Sequence, residues 1–210
     1  MKPWIFASFA VLLAAPTFAT QTKGLPNTDQ LLLDTAPDAP AGMKETARAA
    51  RLTPIRYASP IVLQTFKDRS LLSTTASLCI LTWSFPSAQF RFPGRVTLMW
   101  GVYESPMAAK LGALSRTWGP KARPPKPSLA SGSFSGRSLG SQCWHSSDGA
   151  PASIVACQGR IVVQAVETPP SKLTGRSVTF APIKRQSLAL IESLARKTIA
   201  KTVAFLATHK

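Results

Sequence analysis

The sequence predicts an α+β protein in which a mainly antiparallel sheet of about six strands packs against two helices. Two observations lead to this fold class. Several short segments alternate apolar and polar residues between turn formers, which is typical of strands. Two longer segments, 105–118 and 183–206, instead place apolar residues at helical spacing. With 210 residues, 45% of them hydrophobic, the chain is long enough for one core, and a single domain is predicted over residues 54–210.

The N-terminus has the pattern of a secretory signal peptide. Lys2 precedes an apolar run over residues 4–15, and small residues lead up to Ala19. The run is shorter than the roughly 20 residues of a membrane-spanning helix, although an uncleaved membrane anchor remains the alternative. We expect a signal peptide over residues 1–19, cleaved after Ala19, and a secreted or periplasmic protein.

The segment after the signal peptide, residues 20–53, is rich in Pro, Ala, Thr and Asp. It is also electrically neutral, because its four Lys and Arg residues are matched by four Asp and Glu residues. This composition predicts a mobile leader. Residues 43–52 carry the pattern of a short helix close to the start of the domain.

Three strands are predicted before the first helix. Residues 61–66 form the first strand, and residues 78–85 and 95–104 form the next two. A short extension is expected at residues 90–92. In the second and third strands, alternate residues are directed to one core face. These core residues are Cys79, Leu81, Trp83, Phe85, Val96, Leu98, Trp100 and Val102.

The helix over residues 105–118 is specified by residues at both ends. Ser105 is a suitable N-cap and Pro106 a suitable first residue, while Gly119 and Pro120 end the helix. The apolar stripe that we expect to pack on the sheet consists of Met107, Leu111, Leu114 and Trp118. The closing helix has a similar stripe. Its basic outer face would also suit an anionic membrane surface, but we expect this helix to cover the sheet.

A hairpin is predicted in the second half of the chain. Residues 154–157 and 160–166 are rich in β-branched side chains and are separated by Gln158-Gly159, a two-residue turn. In this register Cys157 lies opposite Arg160 and Val155 opposite Val162. A further short edge strand is expected at Val178-Thr179-Phe180.

A disulfide is predicted within the same region. Residues 141–146 are expected to fold back on residues 153–157, with Cys143 opposite Cys157. Cα atoms of directly opposed residues are about 4.5–5.5 Å apart, which a disulfide can bridge, and export would permit the bond. Cys79 is then left as a buried free thiol.

The charge of the chain points to an anionic partner. The formal net charge is +16, and the excess lies from residue 55 onward. Such a domain attracts polyanions at long range. A long Pro-, Ser- and Gly-rich loop is the candidate anion-binding site, with a plain surface linker as the alternative. Its cations are Lys121, Arg123, Lys126 and Arg137.

Catalysis has weaker support in the sequence. Cys143 and His145 are two residues apart on a strand, so their Cα atoms are about 6–7 Å apart, too far for the direct contact that a nucleophile and its base require. The carboxylates are scattered, and no metal-binding or cofactor motif occurs. No metal site or cofactor is therefore predicted.

The predicted function is that of an exported, non-catalytic basic binding or envelope-associated domain. Its expected partner is an anionic polymer or an anionic membrane surface. Nucleic acid is not favoured, because no aromatic-rich strand is interleaved with the cations. The alternative is a small secreted thiol enzyme or hydrolase that uses Cys143 and His145.

Overall fold

The protein is built on an antiparallel sheet with helices on both faces. The computed structural model describes residues 24–56, 73–117, 142–146, 152–182 and 185–209. The strands are β1 (Lys44–Arg56), β2 (Ser73–Phe85), β3 (Gly94–Tyr103), β4 (Gln142–Ser146), β5 (Ala152–Gln158), β6 (Ile161–Thr168), β7 (Ser171–Thr174) and β8 (Ser177–Phe180). The helices are α1 (Thr28–Thr35), α2 (Pro106–Thr117) and α3 (Arg185–Thr208).

The strand order confirms the predicted fold class. Within the described ranges, six strands form one sheet in the order β1-β2-β3-β6-β5-β4, and β7 and β8 pair separately. All of these pairings are antiparallel. The predicted strand at residues 61–66 and the predicted signal peptide at residues 1–19 lie outside the described residues. No helix in the described ranges is both long and apolar enough to cross a bilayer.

The first core face of the sheet lies under α1 and α3. The buried residues alternate along β2 and β3 as the sequence predicted. Each of the predicted positions from Cys79 to Trp83 and from Val96 to Val102 is buried. Ile191, Ala195 and other residues of α3 pack on this face, as their helical spacing predicted. Phe85 is only partly buried.

Helix α1 belongs to this core and corrects the prediction of a mobile leader. The side chain of Asn27 caps it by accepting a hydrogen bond from the Asp29 amide at 2.8 Å. Leu31 and Thr35 are fully buried. The indole Nε1 of Trp100 donates to Thr35 Oγ1 at 2.8 Å, which joins α1 to the middle of β3.

Three further hydrogen bonds hold the backbone around α1. Ser77 Oγ donates to the carbonyl of Pro26 at 3.1 Å. Arg160 Nη2 donates to the carbonyl of Gly24 at 2.7 Å, and Lys201 Nζ donates to the carbonyl of Ala36 at 3.0 Å. Residues 24–36 are therefore attached to β2, to the β5–β6 turn and to α3.

Residues 43–52 form a strand rather than the predicted short helix. They belong to β1, which pairs with β2 along its length, from Lys44 opposite Ser84 to Arg56 opposite Ser73. Hydrogen bonding to β2 outweighs the helix propensity of the Ala and Arg residues here, because intrinsic propensity is a weak preference that tertiary context overrides. The predicted leader over residues 20–53 is thus wrong for residues 24–53.

Helix α2 covers the second face, and of its predicted packing stripe Leu111 is buried, Met107 is not, and the side chains of Leu114 and Trp118 lie outside what the structure describes. Ser105 caps it as predicted, since its Oγ accepts from the Ala108 amide at 3.1 Å. The second core cluster contains Ala108, Ala109 and Ala113, and Leu111 is fully buried. Met107, predicted to pack on the sheet, is 44% exposed. Small residues form the contact because the helix lies close to the sheet, where a Cβ on Gly112 would come within 2.5 Å of the Tyr103 hydroxyl.

The β5–β6 hairpin turns one residue later than predicted. The turn residues are Gly159, with φ of 56°, and Arg160, so that Cys157 lies opposite Val162 rather than Arg160. Gly is the residue that adopts a positive φ at the first turn position without strain. Strand β5 consequently extends to Gln158.

The pairing of β4 with β5 corrects the register predicted for the cysteines. Cys143 lies opposite Ala156, and Cys157 lies opposite Gln142. A shift of one residue exchanges the faces of a strand, so positions 143 and 157 belong to opposite faces. Ser146 pairs with Ser153 in the same register. The Cys143–Cys157 disulfide stays a prediction without the opposed geometry on which it was based.

Candidate functional site

A small hairpin extends from one end of the sheet and is the most distinctive surface of the described residues. We call residues 171–180, which comprise β7 and β8, the basic hairpin. Its two strands are joined by Gly175-Arg176, where Gly175 has φ of 60°. Two backbone hydrogen bonds between Phe92 and Ser171, of 2.9 and 3.1 Å, attach it beside β3. The Ala181 amide closes its base by donating to the carbonyl of Pro170 at 2.8 Å.

One face of the basic hairpin carries exposed apolar side chains. Leu173 lies directly opposite Val178, and Ser171 lies opposite both Phe180 and Phe92. Opposed residues, and residues two apart, share a face, so these apolar residues lie together. Leu173 is 60% exposed, while Val178 and Phe92 are each 39% exposed. We call Phe92, Leu173, Val178 and Phe180 the apolar face.

Cations lie on the basic hairpin and on the segment that pairs with it. Lys172 and Arg176 are exposed on the hairpin itself, and Arg91 and Arg95 are exposed at the approach to β3. The Arg91 guanidinium lies over the Phe92 ring, 5.8 Å from its centroid, in cation–π geometry. The sequence contains no Asp or Glu in residues 86–103 or 168–191. The cations of this end of the sheet therefore have no acidic neighbour along their own segments.

The acidic residues that the structure describes lie outside these two segments, and Glu167, the one nearest to the hairpin in sequence, is buried in β6. Asp29, Asp34 and Asp38 are exposed in and after α1. Glu45 accepts two hydrogen bonds from Arg48 in β1, and these lower the pKa of its carboxyl. The exposed Asp residues that the structure describes are thus clustered around α1, while residues 171–180 carry only positive charge.

The cysteine thiols of the core are poor candidates for chemistry. Cys79 is buried, and its Sγ donates to the carbonyl of Thr28 at 3.5 Å. Burial raises the pKa of Cys79 to about 12. Burial also raises the pKa of Cys157 to about 11, although the charge of Lys110 opposes the shift. Since the thiolate is the reactive form, the raised pKa values disfavour thiol chemistry at either position at neutral pH.

The other site residues predicted from the sequence lie wholly or partly outside what the structure describes. Cys143 and His145 both lie in β4, opposite Ala156 and Ile154, and their side chains lie outside what the structure describes. The whole anion-binding loop predicted from the sequence, residues 121–137, is also outside the described residues. Among the residues that are described, no three His, Cys, Asp or Glu side chains form a group that could hold a metal ion.

A shallow groove of about 380 Å³ lies between α3 and the end of β5. Its lining consists of Gln158, Arg196, Ile199, Ala200, Val203 and Ala204. Arg196, its one charged residue, forms an ion pair with Glu192 on the same helix. The groove therefore offers an apolar depression with little polar character, and the basic hairpin remains the stronger candidate.

The sequence prediction missed the basic hairpin, recognising only Val178–Phe180 as a short strand. The signal was nevertheless present, because Gly175-Arg176 separates two runs in which Leu173 and Val178 occupy equivalent places. Scans against protein-family models, curated proteins and solved structures found no match to this chain. Its function must therefore be argued from the geometry of the site.

Proposed function

We propose that this protein is an exported, non-catalytic binding domain that contacts an anionic polymer or membrane surface through the basic hairpin. The observation that carries the proposal is the arrangement at this end of the sheet, where exposed cations flank the apolar face. No acidic residue occurs in the segments that supply them. A protein of net charge +16 would also attract a polyanion over longer distances, and the hairpin would provide the site of contact.

The placement of the cations supports contact rather than solubility alone. Lys172, Arg176, Arg91 and Arg95 belong to two neighbouring segments that are hydrogen-bonded to each other at Phe92 and Ser171. Clustered charges produce a local potential that evenly spread charges do not. The hairpin strands are paired along their length, so the cations are held on a preformed backbone and binding loses little backbone entropy.

Retention on immobilised heparin, a sulfated polysaccharide, tests the proposal. We expect the protein to be retained and to elute only with added salt, because ionic contacts are screened within a Debye length of about 10 Å at 0.1 M salt. The double variant K172Q/R176Q should elute at clearly lower salt. The control K110Q/K197Q removes the same charge from exposed sites on α2 and α3 and should change elution less. Equal elution of the two double variants would contradict a specific role of the hairpin.

A further inference from the structure

We infer that the anionic partner of the basic hairpin is the interface of a phospholipid bilayer, into which Leu173 and Val178 insert beside the headgroups. This inference rests on the proposed function and specifies its partner. It is carried by the juxtaposition of an exposed apolar pair with Lys172 and Arg176 on one ten-residue element.

The apolar pair distinguishes a bilayer from a soluble polyanion. Leu173 pairs with Val178 across the two strands. Only the pair of Thr174 with Ser177 lies between them and the turn, so both apolar residues lie near the tip of the hairpin. Leu173 is among the most exposed large hydrophobic residues in the described chain. A sulfated or carboxylated polymer offers nothing to bury such side chains, whereas the headgroup and acyl boundary of a bilayer buries apolar groups and attracts cations at the same depth.

The base of the apolar face also fits a membrane interface. Phe92 contributes an exposed ring, and the Arg91 guanidinium lies over it. Aromatic rings are favoured at headgroup level, where one part of the side chain is apolar and its neighbours remain hydrated. Lys172 lies on the opposite face of its strand from Leu173, and its long side chain can reach the phosphates while its methylene groups contact apolar surface.

The backbone of the hairpin permits shallow insertion. Its strands pair from Ser171 with Phe180 to Thr174 with Ser177, so the backbone groups directed between the strands are satisfied internally, and those on the two outer edges can stay hydrated at a shallow depth. Backbone groups left without hydrogen bonds would oppose entry into an apolar medium. Pro169 and Pro170 precede the hairpin and restrict the backbone where it leaves β6, which would fix the angle at which the tip meets a surface.

Binding to lipid vesicles tests the inference. The purified chain is sedimented with vesicles of equimolar phosphatidylcholine and phosphatidylglycerol, and with vesicles of phosphatidylcholine alone. We expect binding to the anionic vesicles and much weaker binding to the neutral ones. Replacement of both apolar tip residues by the β-branched residue Thr, L173T/V178T, keeps strand propensity and should weaken binding about tenfold because the burial of two apolar side chains is lost.

Two controls separate insertion from charge attraction and from misfolding. L52T replaces another exposed apolar strand residue, 41% exposed on β1, and should leave vesicle binding unchanged. K172Q/R176Q should weaken vesicle binding about fivefold for each cation removed. Circular dichroism and urea unfolding check that each variant is folded.

The heparin measurement distinguishes failure of this inference from failure of the proposed function. Weak vesicle binding by L173T/V178T with unchanged heparin elution supports insertion into a bilayer. Unchanged vesicle binding by L173T/V178T, together with reduced heparin retention by K172Q/R176Q, overturns the inference and leaves an anionic polymer as the partner. If K172Q/R176Q behaves like the parent protein in both assays, the inference and the proposed function both fail.

Discussion

Replacement of Thr35 by Val tests whether residues 24–36 form part of the folded core. The Thr35 hydroxyl accepts a hydrogen bond from Trp100 Nε1 at 2.8 Å and donates to the carbonyl of Leu31 at 2.5 Å. Val has nearly the same shape as Thr but cannot accept a hydrogen bond. The variant would leave the indole N–H of the fully buried Trp100 without its acceptor.

The expected loss of stability follows from the burial of both Thr35 and Trp100. A buried donor that loses its acceptor costs roughly 1–3 kcal/mol, and we expect T35V to lower the free energy of unfolding by about 2 kcal/mol. For a chain of this size, each kcal/mol corresponds to about 2–4 °C in Tm, so Tm should fall by about 4–8 °C. Urea unfolding followed by circular dichroism measures the first quantity, and a thermal scan measures the second.

A matched control and a second variant make the result decisive. T46V removes the hydroxyl of an exposed Thr in β1 that donates to the carbonyl of Thr82 at 3.2 Å, and should cost less than about 0.5 kcal/mol. In a W100F background, where the donor is absent, T35V should cost much less than alone, because the two changes remove one shared interaction. If T35V and T46V have equal effects, the hydrogen bond from Trp100 to Thr35 does not stabilise α1 on the core.

Two further predictions concern the packing of α2 and the buried thiols. G112A should lower the urea midpoint by the equivalent of about 1–3 kcal/mol, because the new methyl group meets the Tyr103 hydroxyl; a higher midpoint, as helix propensity alone would give, would contradict the close packing. Above pH 9, stability should fall with pH, because a Cys79 thiol with its pKa raised from 9.0 to about 12 stays protonated in the folded state while the unfolded chain ionises. This thiol contributes a slope of up to about 1.4 kcal/mol per pH unit. C79A should show a shallower decline than the parent, and parallel declines would refute the shifted pKa.

The elements that the sequence predicted well are those with local signals. The alternation of Cys79, Leu81 and Trp83 identifies one buried face of β2 regardless of its partners. Ser105 and Pro106 likewise specify the start of α2 through contacts within a few residues. Such signals need no knowledge of the rest of the fold, because period and capping are properties of the element itself.

The errors occur where a partner distant in the sequence decides the structure. Residues 43–52 have a composition compatible with helix, but they lie largely in strand β1 because β2 supplies hydrogen bonds to one edge. Helix α1 is short and would be marginal alone, and it is stabilised by Trp100, which is 65 residues from Thr35. In β4, the distance between the cysteines depends on a one-residue choice of register that composition does not reveal.

The candidate site was only partly predictable. The excess positive charge and an anionic partner follow from the sequence, and the cations Lys121, Arg123, Lys126 and Arg137 remain a prediction. The clustering of Arg91 with Lys172 could not be predicted from the sequence, because it depends on the pairing of Phe92 with Ser171. These segments are about 80 residues apart in the chain, and contacts over such distances leave no pattern in the local sequence of either segment.

The long-range hydrogen bonds of residues 24–36 have a consequence for the order of folding. Gly24 is held by Arg160 and Ala36 by Lys201, across separations of 136 and 165 residues. A chain that emerges from its N-terminus presents Leu31 and Leu32 before Arg160 and Lys201, which anchor the two ends of this segment. Contacts of such high sequence separation slow folding. The packing of residues 24–36 is therefore complete only after α3 has been synthesised.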